Sequence, residues 1–436
     1  MNLSASEQRR AVAKPEKTWA SVANASRQFL LLTDAFLPHA GGSRVYYYNL
    51  YRRLAQDLQH SVLVLTTQTP GHENFDAQAT FPSFRIKRRG KPLPDWRVER
   101  AFRVLLPFLR TIRFQLFGRA DLLHAGDLFP QGLACVWMKK LFGTPYLIYA
   151  HGEEITQTDL YRYQAIVRDS IYRHADRVIA ANDFARQHLL RIGVEESRIH
   201  TIYPGVDSVR FRPELADAAQ AERLLTTGRT VILSVGRLVP HKGHRILLEA
   251  IAALPATTPR PRYLIAGEGP EAGALMAQVA ELGLADDVAF LGKVTEGELP
   301  TLYNLCDLFA LANCEHRGCV EGFGMVFLEA AACGKAVLAG RTGGTAGAVV
   351  DHTTGILFDP SKIEEVTSAL NLMLSNSDLR RRMGAAGRER AVSTFSWENA
   401  ARQLDAVCAE ILVKTTSRSS HTYQTSRIFR SKTHHG

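Results

Sequence analysis

The chain has 436 residues, 46% of them hydrophobic and 22% charged, with 32 Gly and 18 Pro. That length exceeds one ordinary core and fits two domains of roughly 200 residues each, while the composition is that of a globular α/β protein and excludes a disordered, collagenous or coiled-coil chain. The net charge is +10, and residues 1–210 carry all of the excess, with 29 Lys and Arg against 19 Asp and Glu. An asymmetry of this kind points to an anionic partner or to a solvated basic face.

In chain order, the polar leader 1–27 has no apolar core of a secretory signal and is expected to be disordered. No later stretch approaches the roughly 20 apolar residues of a bilayer span, so a cytoplasmic protein, at most peripheral on the cytoplasmic membrane face, is expected. QFLLLTD (28–34) is a short apolar run closed by an acidic residue, which predicts a buried strand. The segment AFLPHAGGSRVYYYNLYRRLAQDL follows it. Strand, glycine-rich turn and helix together form the opening of a nucleotide-binding α/β domain. The alternation continues through SVLVLTT (61–67), DLLHAG (121–126), a helix near 130–141, PYLIYAHG (145–152), a helix across 160–174, DRVIAA (176–181) and a helix from Asp183. Such β-α repeats imply a parallel sheet covered on both faces.

Between the second and third of these strands, 85–119 holds 11 basic and 2 acidic residues. Within it, Val98, Phe102, Leu105, Leu109, Ile112 and Leu116 recur at helical spacing, with Arg97, Arg100, Arg103, Arg110 and Arg113 on other faces. The span 97–118 is therefore either a basic amphipathic helix for an anionic membrane surface or a domain helix with its apolar stripe in the core. Nucleic acid is not expected as a partner, because the segment offers an aliphatic stripe rather than interleaved aromatics.

SRIHTIYPGVDSVRFRP (197–213) breaks the rhythm with Pro204, Gly205 and Pro213, as an interdomain linker does. The pattern then restarts with RTVILSVG (229–236), RYLIAGEG (262–269), DVAFLG (287–292), DLFALA (307–312), KAVLAG (335–340) and TGILFDP (354–360). The tail 414–436 is polar and basic and is expected to be disordered. The six cysteines, Cys135, Cys306, Cys314, Cys319, Cys333 and Cys408, form no C-x-x-C pair, which argues for reduced thiols and against a zinc site.

The most informative segment is GCVEGFGMVFLEAAACGKAVLAG (318–340). Met325 to Cys333 are strong helix formers closed by Gly334. A helix starting near Gly324 would leave the N–H groups around Phe323, Gly324 and Met325 facing the space beyond the loop, which suits a phosphate or an electron-rich sugar. Glu329, about one turn in, could accept two hydroxyl hydrogen bonds such as a ribose offers. VFLEAA is apolar on every side, so that carboxylate needs a partner. Arg237 and Lys242, on the loop after a strand, supply charge for a diphosphate leaving group without a metal. His151 stands at the strand end where ligands of parallel sheets bind, and Gly41 and Gly42 would let the backbone approach a diphosphate closely.

Glu321 and Glu329 match the E-x7-E signature of retaining glycosyltransferases of family 4, and the chain resembles that family over about 28–413. AGGSRVYYYNLYRRLA, AHGEE, YPGVDSVRFRP, SVGRLVPHKG and AGEGP fall in the family's order, and FSWENAARQLDAVCAEIL looks like its closing helix. VEGFGMVFLEAAACG and the Arg237/Lys242 spacing look most like bacterial phosphatidylinositol-type mannosyltransferases. The resemblance implies a GT-B fold of two Rossmann-like doubly wound domains: an acceptor-binding domain at 28–205, a nucleotide-sugar domain at 206–394, and a helix at 395–413 that crosses back to the first. It implies His151 and Glu321 as catalytic residues, the latter orienting sugar hydroxyls rather than attacking. Gly41, Gly42, Arg237 and Lys242 would bind the donor diphosphate, and Phe323, Gly324, Met325 and Glu329 its sugar and ribose. The chain departs from the family at Gly343-Gly344-Thr345-Ala346-Gly347, where G-G-x-P-E is usual, and at Ala336, where Pro is common.

The reading is a retaining hexosyltransferase that uses a nucleoside diphosphate sugar, with no metal and no other cofactor, toward a glycan or lipid-linked acceptor. GDP-mannose is the first guess for the donor and a UDP-hexose the alternative. The rival class, a catalytically silent nucleotide-sugar-binding scaffold, is opposed by the presence of Glu321, Glu329, Arg237, Lys242 and His151 together.

Overall fold

The computed structural model describes residues 27–38, 41–87, 105, 108–114, 120–214, 218–224 and 226–431. Residues 1–26 of the leader and most of 97–118 lie outside the described residues.

The first half carries seven strands: β1 (Gln28–Leu32), β2 (Ser61–Thr67), β3 (Ser83–Ile86), β4 (Leu122–Ala125), β5 (Tyr146–Ala150), β6 (Arg177–Ala180) and β7 (Ile199–Thr201). They form one parallel sheet in the order β3-β2-β1-β4-β5-β6-β7. Alternate residues of β1 enter opposite layers, Phe29 and Leu31 into one and Leu30 and Leu32 into the other, which is why the strand reads as an unbroken apolar run. The second half repeats the plan with β8 (Val231–Val235), β9 (Arg262–Ala266), β10 (Val288–Gly292), β11 (Leu308–Leu311), β12 (Ala336–Gly340) and β13 (Gly355–Phe358), in the order β10-β9-β8-β11-β12-β13. Strand order reverses between β1 and β4 in one sheet and between β8 and β11 in the other. Crevices at such switch points, beyond the carboxyl ends of the strands, are where open α/β sheets bind ligands.

β3 and β7 are additions to the elements read from sequence. In β3, Arg85 is buried and pairs with Asp76 at 2.8 Å, so the strand has no apolar run to announce it. β7 is three residues long and sits at the start of the segment read as linker. The expected helix across 160–174 is Arg162–His174, and a further helix, Glu153–Asp159, precedes it. In the basic segment the described part is helical over 108–114, and Ile112 of the stripe packs against the core. Phe108 and Thr111 are buried, whereas Leu105 and Leu109 are 45% and 51% exposed. Phe108 packs edge-on against Trp137 with ring centroids 5.2 Å apart.

The chain passes to the second sheet at Tyr203–Val206 and returns at Phe395–Trp397, where the two crossings touch: Val206 N–H donates to Phe395 O at 2.8 Å. The closing helix, Trp397–Ser431, runs past residue 413, so 414–431 extend this helix where the sequence suggested a disordered tail. Its Trp397, Leu404, Val407, Cys408 and Ile411 lie in the same core layer as Phe29, Tyr46 and Leu50 of the first domain. Asp405 accepts from Arg27 at 2.5 Å and from His60 at 2.9 Å, and Glu410 pairs with Arg177 at 3.1 Å. Among the described residues no helix is long and apolar enough to cross a membrane.

Gly205 lies against this junction. A Cβ there would stand 2.6 Å from Trp397 N and 2.8 Å from its ring. Because backbone cannot step aside as a side-chain tip can, Gly205→Ala should lower stability by about 1–3 kcal/mol, read as a fall in the urea midpoint. A midpoint equal to that of the parent would show that the two crossings are not tightly packed.

Candidate functional site

The predicted site residues lie on the loops and helix starts that follow strands, and the two domains bring most of them to a shared cleft. The loop after β1 leads into the helix Gly42–Gln56, with Gly41 at φ 156° before its first turn. A Cβ on Gly42 would stand 3.6 Å from Met325 Cε, so the glycine loop of one domain abuts the first residue of the helix Met325–Ala332 of the other. Arg44, in the first turn of its helix, lies within electrostatic reach of Asp127 and of Arg237, and burial lowers its guanidinium pKa.

His151 follows β5. Its Nε2 is 2.7 Å from the Tyr47 hydroxyl, and that hydroxyl donates its single proton to the carbonyl of Gly126. The imidazole must then be the donor to Tyr47, which places its proton on Nε2 and leaves Nδ1 as an acceptor. Burial pushes the imidazole down to about 4, with Asp127 pulling the other way, so the ring is neutral near pH 7. The loop is fastened from below by Glu154, whose carboxylate accepts the backbone N–H of His151 at 2.9 Å, that of Gly152 at 3.1 Å and the Tyr172 hydroxyl at 2.9 Å. Asp127, after β4, accepts Thr33 Oγ1 at 2.7 Å and the Asp34 N–H at 2.6 Å and so ties the ends of β1 and β4 together.

In the second domain, Lys242 belongs to a short 3₁₀ turn, Pro240–Lys242, after β8. Its ammonium meets Glu321 Oε2 at 2.5 Å, and Asn313 Nδ2 donates to the same oxygen at 2.8 Å. Glu321 is 8% exposed, so its carboxylate is held by a cation and an amide rather than by bulk water. Arg237 and Lys242 both lower the proton affinity of Glu153 on the facing domain, although burial sets the net direction upward. The loop Gly343–Gly347 packs behind Glu321: the Gly344 N–H donates to Glu321 O at 2.9 Å, and Thr345 Oγ1 donates to Gly340 O at 2.9 Å. This backbone contact fixes the loop, which lacks the Pro and Glu of the family pattern.

The helix Met325–Ala332 starts after Gly324, which is left-handed at φ 83°, a conformation that favours glycine. Phe323 is buried against Tyr203 and Phe395, so its ring anchors the loop from the interior, and any role in the cleft falls to its backbone. Glu329 takes a hydrogen bond from Tyr303 Oη at 2.7 Å. Burial pushes its carboxyl up to about 7, and the Tyr303 bond opposes that rise. Tyr47, Glu154, Tyr303 and Asn313 are the contributors that sequence reasoning missed. Each is an ordinary residue in its own segment, and only the apolar setting of Glu329 called for a partner.

Comparison with known proteins places this geometry. The sequence profile "Glycosyltransferase Family 4" matches residues 40–210 and "Glycosyl transferases group 1" matches 217–390. The GDP-mannose-dependent alpha-(1-6)-phosphatidylinositol monomannoside mannosyltransferase of Mycobacterium tuberculosis is 30% identical over 381 residues, covering 86% of this chain and 96% of that protein. The chain belongs to glycosyltransferase family 4. It is a glycosyltransferase, and its fold is GT-B. The D-inositol 3-phosphate glycosyltransferase of Salinispora tropica is 29% identical over 411 residues, covering 87% of this chain and 83% of that protein. Among solved structures, Anabaena Alr3699/HepE in complex with UDP and glucose superposes with a TM-score of 0.74 at 21% identity, covering 88% of this chain and 100% of that one. Sucrose-phosphate synthase from Thermosynechococcus elongatus superposes at 0.75 and 23% identity, covering 89% and 100%. At those identities the likeness is one of fold.

The Tyr303–Glu329 bond can be tested by stability alone. Tyr303→Phe removes the only donor hydroxyl of that side chain and leaves a carboxylate withdrawn from water. The variant should lose about 1–2 kcal/mol at pH 8, where Glu329 is ionised, and less at pH 5, where it is protonated. Denaturant unfolding at the two pH values checks this, and equal losses at both would show that the phenol does not bear on the charged form.

Proposed function

We propose that this glycosyltransferase moves a mannosyl group from GDP-mannose to a lipid-linked or glycan acceptor, with retention of configuration and without a metal ion. The observation that carries the reading is the placement of Glu321 against Lys242 and Asn313 at the head of the helix Met325–Ala332, with Glu329 one turn further in. The donor follows the mycobacterial mannosyltransferase to which the chain is similar over most of its length. A UDP-hexose is the alternative.

In this reading Arg237 and Lys242 take the diphosphate, the backbone of Gly41 and Gly42 closes over it, and Glu329 accepts the ribose hydroxyls. Phe323, Gly324 and Met325 present N–H groups to the sugar side, and Glu321 orients the sugar hydroxyls. His151, neutral and with Nδ1 unprotonated, accepts a hydrogen bond from a donor-sugar hydroxyl. The bond from the anomeric carbon to the diphosphate oxygen breaks. The acceptor hydroxyl attacks on the same face, and its proton passes to the leaving phosphate, whose charge the two cations hold. An anionic membrane surface met through 97–118 belongs to the proposal, supported by the charge of 85–119 and the exposure of Leu105 and Leu109; so does a location at the cytoplasmic membrane face.

Calorimetry with GDP-mannose, UDP-glucose, UDP-galactose and UDP-N-acetylglucosamine should show GDP-mannose binding tightest. Arg237→Ala should weaken that binding roughly 10- to 150-fold, the worth of a charge-assisted contact to phosphate. It is a cleaner probe than Lys242→Ala, which also strips Glu321 of its partner. Because a protonated Glu329 cannot accept two hydroxyls, affinity should rise up to ~10-fold from pH 6 to pH 8. Preference for a UDP-sugar would move the donor assignment, and a pH-independent affinity would remove Glu329 from the ribose.

Transfer assays separate the two carboxylates. Glu321→Ala should cut kcat at least ~100-fold with little change in donor affinity, as for loss of a group acting in the transition state, whereas Glu329→Ala should act chiefly on affinity. The parent should transfer equally well with and without EDTA. Activity lost in EDTA and restored by manganese would contradict the fixed-charge mechanism.

A further inference from the structure

Asn182 follows β6 and is fully buried. Its Oδ1 accepts the Ala185 N–H at 2.7 Å and caps the helix Asp183–Arg191. Its amide nitrogen donates twice, to His151 O at 2.9 Å and to Gly322 O at 2.7 Å. Capping alone would be served as well by Asp, Ser or Thr, but none of these side chains offers two N–H groups in a rigid plane. One of the two carbonyls belongs to the loop of His151 in the first domain. The other follows Glu321 in the second.

The surroundings are built around this bridge. A Cβ on Gly322 would stand 3.4 Å from His151 O. A Cβ on Gly344 would stand 1.8 Å from Gly322 O and 3.0 Å from Asn182 Cγ, so the glycine there leaves room for the amide and the carbonyl to meet. Further along the same seam, Thr156 Oγ1 donates to Gly318 O at 2.6 Å. We infer that Asn182 is a positioning residue that fixes the closed register of the cleft by joining the His151 loop of one domain to the Glu321 loop of the other. Its consequence for catalysis rests on the transferase reading given above, whereas the coupling itself does not depend on which donor is used.

Asn182→Asp isolates the bridge, since the carboxylate keeps the shape and the cap but turns acceptors toward two carbonyl oxygens. Hydrogen–deuterium exchange on the full chain without ligand should show amides of 318–324 exchanging at least tenfold faster in the variant, with a cooperative melt close to that of the parent. For GDP release from GDP-mannose, kcat should fall at least tenfold with a smaller rise in KM, because Arg237, Lys242 and Glu329 lie in one domain while His151 and the backbone of Gly41 and Gly42 reach the donor from the other. Thr156→Val, which removes a seam contact and no cap, should raise the same exchange to a smaller extent, and it decides the matter if Asn182→Asp does not fold. Exchange and kcat within twofold of the parent, or kcat and KM falling together with the melting temperature, would overturn the inference. If the parent releases no GDP from GDP-mannose, the donor assignment fails, and the exchange measurement still decides the role of Asn182.

Discussion

The double crossing at Val206 and Phe395 is the constraint on which the site depends. Parallel sheets leave their ligand-facing loops at one edge only, so two such sheets make a shared site only if those edges face each other. A single tether would leave that orientation to chance, because domain interfaces of ordinary size permit relative motion. Here the chain crosses twice, the crossings are hydrogen-bonded to each other, and Trp397 is packed on Gly205. Only under this restraint can Gly42 come up against Met325, and His151 lie opposite the loop of Glu321.

Within the cleft, two glutamates eight positions apart experience different surroundings. Glu321 sits against an ammonium and an amide, whereas Glu329 is buried and takes its hydrogen bond from a phenol. A carboxylate withdrawn from water holds its proton more tightly, and burial does this to Glu329. The same side chain is thus held by two donors at one position and titrates near neutrality at the other. His151 shows the complementary case, since loss of solvent keeps its ring uncharged and the Tyr47 hydroxyl selects its tautomer.

The strands with continuous apolar runs were legible in the sequence because both faces of each sheet are covered, and so were the motif residues at their ends. β3 was not, because its buried Arg85 is neutralised by Asp76, a pairing that no local pattern reveals. β7 was hidden by its length and by the Pro and Gly that follow it. In the basic segment the described residues 108–114 are helical as expected, and of the stripe Ile112 packs on the core with Phe108 while Leu105 and Leu109 stay exposed. The side chains that hold the site are the least visible from sequence. Tyr47 meets His151 across 104 positions, and Asn182 reaches Gly322 across 140, so their meaning exists only once the two sheets are assembled.

The closing helix has a consequence for the order in which the molecule can be made. Its Trp397, Leu404, Val407, Cys408 and Ile411 share a core layer with Phe29, Tyr46 and Leu50, and Cys408 Sγ lies 3.7 Å from the buried His124. On the ribosome the first sheet can pair its strands early and the helix Gly42–Gln56 can cover part of one face, but the rest of that face stays uncovered until residues 397–411 have emerged. Domains usually fold as units, N-terminal first, during synthesis; here the earliest domain is the last to be completed, and its exposed layer of tyrosines and leucines is the surface a nascent chain must keep from aggregating in the meantime.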